Sequence, residues 1–123
     1  MKLHLLEFEL GVLHLAPDAS IPDYVWSSPF YSITRTQDEL SLFLAADRIP
    51  EGTQASRDWR AFHVVGHLDF EVVGIISSLT MPLAAKQISV FSISTHDTDY
   101  LVVPADRLED AIDVLTRSGH RFV

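Results

Sequence analysis

Gly66-His-Leu-Asp-Phe-Glu-Val-Val-Gly74, followed after a helical segment by Ile88-Ser-Val-Phe-Ser-Ile-Ser-Thr-His-Asp-Thr-Asp-Tyr-Leu-Val-Val103, reads as loop, helix, strand, polar turn and strand. The first polar stretch opens a helix. The second, Ser94 to Asp99, marks a hairpin turn. A strand ahead of the helix that ran beside this hairpin would bring the two polar clusters to one end of a sheet. That arrangement suits a small zwitterion and holds no group poised to break a bond.

Working outward, the same signals organise the rest of the chain. Trp59 to Val65 reads as a strand. Glu71 to Lys86 reads as a helix, with Ile75, Leu79 and Leu83 at helical spacing. Pro82 lacks an amide hydrogen, so a weakened turn is expected there. Ile88 to Thr95 and Thr98 to Val103 form a hairpin. Asp106 to Ser118 is an amphipathic helix striped by Leu108, Ala111, Ile112 and Leu115. Its acids, Asp106, Glu109 and Asp110, suit the positive end of the helix. Gly119 stops it, and His120 to Val123 add a short strand. The second half thus reads β-α-β-β-α-β, the ferredoxin-like order.

Ahead of it, Leu3 to Leu15 reads as a strand region and Ala16 to Pro22 as a break. Asp23 to Ser28 is at most a short helix. Phe30 to Thr36 and Leu40 to Ala46 form a hairpin. Pro50 to Asp58 is the polar, breaker-rich candidate linker. Two units are expected, 1–58 and 59–123, in an α+β fold with antiparallel sheets and helices on one face. Units this small bury little surface alone, so the two should pack together.

Composition narrows the function. The 123 residues are 47% hydrophobic, enough for a packed core. A net charge of −8 with no basic run argues against nucleic-acid binding. There is no cysteine, so thiolate metal sites and cysteine nucleophiles are excluded. Glu7 and Glu9 interrupt the apolar start, which is no signal peptide. No apolar run reaches the roughly 18 residues of a membrane span. A cytoplasmic protein is the expectation, without membrane or nucleic-acid partners and without a cofactor.

Each candidate group has a functional and a structural reading. Amides at the helix start could receive a carboxylate, and Gly74 would let a ligand approach the backbone. Asp69 and Glu71 could hold an ammonium group. Equally, Asp69 could cap the helix and Gly74 could serve packing. In Ser94 to Asp99, a carboxylate could face a ligand, or the polar groups could simply close the turn. His63 and His67 on a strand would stand roughly 13 Å apart along the chain, too far for one ion. His4, His14 and His120 read as structural or surface groups. His96 could contact a ligand or lie solvated in the turn. No Gly-x-Ser-x-Gly and no phosphate-binding loop is present.

Pro82 to Val103 resembles the signature of ACT domains of the cytosolic arginine sensor family, and of short bacterial proteins with paired ACT domains. More distantly it is similar to aspartate kinase regulatory domains. The opening Met1 to Glu7 resembles the start of those sensors. The resemblance implies two tandem ACT units, a non-catalytic regulatory role and an amino acid or similar small effector. It also implies a homodimer, with a regulated protein as a further partner. Carried onto this sequence, the loop contacts fall on Asp69, Phe70, Glu71 and Val72. The helix contacts fall on Ser78 and Leu79, and the strand-turn contacts on Thr95 and Asp99. Val72 stands where the sensors hold the arginine side chain with an acid, and Asp69 where they have glycine. The alternatives to a sensor are a ligand-free dimerisation module and, last, a small metal-dependent enzyme using His96, Asp97 and Asp99.

Overall fold

The computed structural model describes residues 1–66 and 73–123. Among the described residues eight strands alternate with few helices: β1 Lys2–Leu5, β2 Leu10–Leu15, β3 Tyr31–Arg35, β4 Leu40–Ala45 and β5 Ser56–Val64. Then come α1 Ile75–Ala85, β6 Phe91–Ser94, β7 Asp99–Pro104, α2 Leu108–Arg117 and β8 Arg121–Phe122. Three short 3-10 turns, Asp23–Ser27, Ala46–Arg48 and Ala105–Arg107, punctuate the loops. Among the described residues, no helix is long and apolar enough to cross a membrane.

The chain forms two compact units, Phe8–Trp59 and a second made of Met1–Glu7 with Arg60–Val123. The sequence predicts 1–58 and 59–123. The first seven residues, however, are grouped with the C-terminal residues rather than with the segment that follows them. The expected run from Leu3 to Leu15 is two strands. Glu7 and Glu9 lie exposed around Phe8, and no single alternation carries through them.

The first unit is a sheet in the order β3-β4-β2-β5, with only the early residues of β5 taking part, and two short 3-10 turns. Leu40, Leu42 and Leu44 repeat at the strand period and are all fully buried. With Leu13, Val25 and Ile49 they make its core. The expected linker is partly strand, since β5 begins at Ser56. Arg57 holds the preceding loop by donating to the carbonyls of Ile49, Pro50 and Thr53 at 3.3, 3.0 and 3.2 Å. A guanidinium has five N–H donors in a fixed fork, so one side chain can hold several loop carbonyls at once.

In the second unit the strand order is β6-β7-β5-β1-β8. β5, α1, β6, β7, α2 and β8 follow one another along the chain. β1 inserts between β5 and β8, antiparallel to the former and parallel to the latter. Alternation along the strands sends Leu3, Phe62, Val64, Leu101 and Val103 to one face. There they meet Leu79 and Leu83 of α1 and Ala111 and Leu115 of α2. Both helices therefore cover the same face. Helix α1 starts at Ile75, not at Glu71: Gly74 precedes it with φ of 82°, a left-handed conformation that no helix continues and that glycine adopts without a Cβ clash.

Candidate functional site

The hairpin turn between β6 and β7 is closed by the pair Ser94 and Asp99, which stand opposite each other. Ser94 Oγ donates to Asp99 Oδ1 at 2.7 Å. Inside the turn, Thr95 N donates to Thr98 O at 2.8 Å, and the Thr95 hydroxyl accepts from Thr98 N at 3.2 Å. Short polar side chains can satisfy a turn's backbone in this way, as serine, threonine and aspartate commonly do. Asp97 points elsewhere and meets His96 Nδ1 at 2.9 Å, both side chains being largely exposed.

Thr98 carries a further contact. Its hydroxyl donates to Val64 O, the last residue of β5, at 2.7 Å. The polar turn is thereby tied to the strand end from which the chain leaves toward α1. Thr98 was not singled out in the sequence, although it lies inside the polar cluster. Its signal would have been a hydroxyl flanked by two acids, which alternation alone does not point at a neighbouring strand.

The start of α1 offers backbone donors. Gly74 supplies no side-chain cap, and the first intrahelical bond is Ser78 N to Gly74 O at 2.9 Å. The amides of Ile75, Ile76 and Ser77 precede that bond in the helix, where N–H groups have no intrahelical partner. The positive end of the helix dipole lies there too. Ser77 and Ser78 turn their hydroxyls back onto Gly74 O and Ile75 O at 3.1 and 2.8 Å.

Ser78 is held from a second side. Pro82 cannot donate the i→i−4 bond to Ser78 O. His120 Nε2 takes that place at 3.1 Å, while its Nδ1 accepts from the Met1 ammonium at 3.1 Å. A carbonyl only accepts, so Nε2 carries the hydrogen in this contact. His120 is 8% exposed, and its expected structural role takes this specific form. His120→Ala should cost about 0.5–1.5 kcal/mol by removing the hydrogen bond to Ser78 O. Urea unfolding measures it, and His120→Gln should recover part of the loss by restoring a donor.

Of the predicted ligand contacts, Gly74, Ser78, Thr95 and Asp99 lie at these two places. Leu79 is fully buried in the core, so its side chain is committed to packing. Asp69, Phe70, Glu71 and Val72 lie outside the described residues, as does His67. Among the described residues no group of three or more metal-type side chains converges. An open groove in the other unit, lined by Val12, His14, Leu15 and residues 53–56, contains none of the predicted positions.

Comparison with known proteins bears on both units. Residues 54–117 match the ACT domain family model, and residues 9–52 match a model described as an N-terminal domain. Cytosolic arginine sensor for mTORC1 subunit 1 of Rattus norvegicus is 31% identical over 99 residues, covering 74% of this chain and 30% of that protein. The chain thus spans less than a third of the curated relative's length. A crystal structure of an Agobacterium tumefaciens protein superposes with a TM-score of 0.92 at 36% identity, covering 99% of this chain and 91% of the other. The ligand-free regulatory subunit of aspartate kinase from Thermus thermophilus has a TM-score of 0.61 at 10% identity, covering 89% and 91%. That last likeness concerns the fold.

Proposed function

Because this chain belongs to the ACT domain family, we propose that it is a small regulatory protein that binds an amino acid or similar small effector and catalyses no reaction. The observation that carries this reading is the Thr98–Val64 hydrogen bond. It fastens the Asp99-bearing turn to the strand end that leads to α1. The effector's carboxylate docks on the amides at the start of α1. Its ammonium meets Asp99, with Asp69 or Glu71 as a second acid and Thr95 and Ser78 beside them. Phe70 and Val72 are further contacts carried over from the family resemblance, with Gly74 at the helix start. The family match over 54–117, the second model over 9–52 and the likeness to an arginine sensor support two tandem ACT-type units read as a sensor.

The protein acts as a homodimer in this reading, since two-fold dimers are the commonest oligomers. Light scattering should then return twice the 13.8 kDa of the chain. Effector binding changes the surface offered to a regulated partner, which requires different effector affinities in the two states. A thermal-shift screen of the twenty amino acids tests the reading. At least one should raise the melting temperature at millimolar concentration. A flat response on protein freed of bound small molecules would remove the sensor role.

One observation favours a second reading. Asp99 already accepts the Ser94 hydroxyl at 2.7 Å, which is what a ligand-free dimerisation module needs from it. On that reading Asp99→Ala leaves the dimer intact and there is no amino-acid response to lose.

A further inference from the structure

His63 finds its partner across the sheet rather than along the chain. β1 and β5 run antiparallel, and His4 stands directly opposite His63. Their neighbours Leu3, Phe62 and Val64 point into the core, so both imidazoles lie on the face that the helices leave uncovered. His4 is exposed and His63 half-buried. The ring centres are 5.6 Å apart with planes at 71°.

Hydrogen bonding fixes both tautomers. His4 Nδ1 lies 3.2 Å from Val123 O, and His63 Nδ1 lies 3.1 Å from Val64 O. A carbonyl can only accept, so each Nδ1 carries the hydrogen and each neutral ring keeps its lone pair on Nε2. Metal-ligating histidines are commonly oriented in this way, with the distal ring N–H given to a backbone carbonyl. Tyr100 packs on the other side of His63, with ring centres 5.0 Å apart and planes at 34°, which restrains the His63 ring.

From this geometry we infer that His4 and His63 form a two-histidine site for a divalent late first-row transition-metal ion on the open face of the sheet. Two imidazoles sharing one ion at Zn–N distances of about 2.0–2.1 Å and a near-tetrahedral angle have ring centres roughly 5 Å apart. The present 5.6 Å needs only a small side-chain rotation to close. Imidazole ligands select copper, nickel and zinc over magnesium and calcium. With two protein ligands, water completes the coordination from the exposed side of His4.

Titration of the whole protein with Zn2+ in a non-chelating buffer, followed by calorimetry, tests the site. Saturable binding of one ion per chain is expected, weakened about tenfold or more by either His4→Gln or His63→Gln. His14→Gln should leave it unchanged. No saturable binding up to millimolar Zn2+, or binding indifferent to both substitutions, overturns the inference. A measurement on the unsubstituted protein guards against variants that fail to fold. Substoichiometric Cu2+ should broaden NMR signals of His4, His63, Tyr100 and Val123 first, and broadening centred elsewhere overturns the inference equally.

Discussion

Phe62→Ala should lower the unfolding free energy by about 3–5 kcal/mol, the usual cost of emptying a large aromatic site in a close-packed core. Phe62 is fully buried on β5. It meets Phe122 of β8 edge to face, ring centres 5.4 Å apart and planes at 72°. Such a pair adds about 0.5–1.5 kcal/mol beyond the buried area. The ring also touches the cluster that joins both helices to the sheet, so no single neighbour can collapse into the space. Domains of this size have only about 5–15 kcal/mol in hand, and the loss is a large share of that. Urea unfolding followed by far-ultraviolet ellipticity is the measurement, since both α-helices belong to this unit. A loss under about 1 kcal/mol would mean that the cluster is not the close-packed core described. Phe62→Leu, which keeps much of the volume, should be far milder.

The second large effect is on ligand response. At an effector concentration of 100 times Kd, the unsubstituted protein gains about 2.7 kcal/mol of stability. Asp99→Ala should remove most of that gain, because the other carboxylate of the turn, Asp97, is engaged with His96. Without effector the same substitution should cost about 0.5–1.5 kcal/mol, the worth of the Ser94 hydrogen bond. Asp97→Ala is the control. Its side chain is 71% exposed and engaged with His96, so the response should survive. A full response in Asp99→Ala would show that Asp99 only closes the hairpin through Ser94 and does not contact the effector.

Much of this was legible in the sequence, and for particular reasons. Leu40, Leu42 and Leu44 announced β4 because strand alternation and burial coincide there. Ala111 and Leu115 announced α2 because helical spacing and acidic flanks agreed. The hairpin turn was legible from its run of serine, threonine and aspartate. The insertion of β1 between β5 and β8 was not, because strand pairing between distant segments leaves no local periodicity. The start of α1 was misplaced because Val72, Val73 and Ile75 continue an apolar pattern through Gly74. Only the left-handed φ of that glycine shows the boundary.

The candidate site divides the same way. Asp99 and Thr95 could be picked from the turn. The Thr98 bond to β5 and the His120 bond to Ser78 could not, since each joins residues 34 and 42 positions apart. The His120 bond had one available clue: Pro82 inside a helix leaves a carbonyl that something must satisfy. The His4 and His63 pairing was hidden because spacing along the chain drew attention to His67 instead.

The central claim is that a small amino acid binds where the start of α1 and the β6–β7 turn supply opposite charges. Backbone amide NMR during titration with the best ligand of the thermal-shift screen tests it most directly. The account predicts saturable shifts concentrated at Gly74 to Ser78 and at Ser94 to Asp99, with the groove around Val12 and His14 unaffected. Shifts centred on that groove, or none at either of the first two segments under saturating ligand, would contradict it.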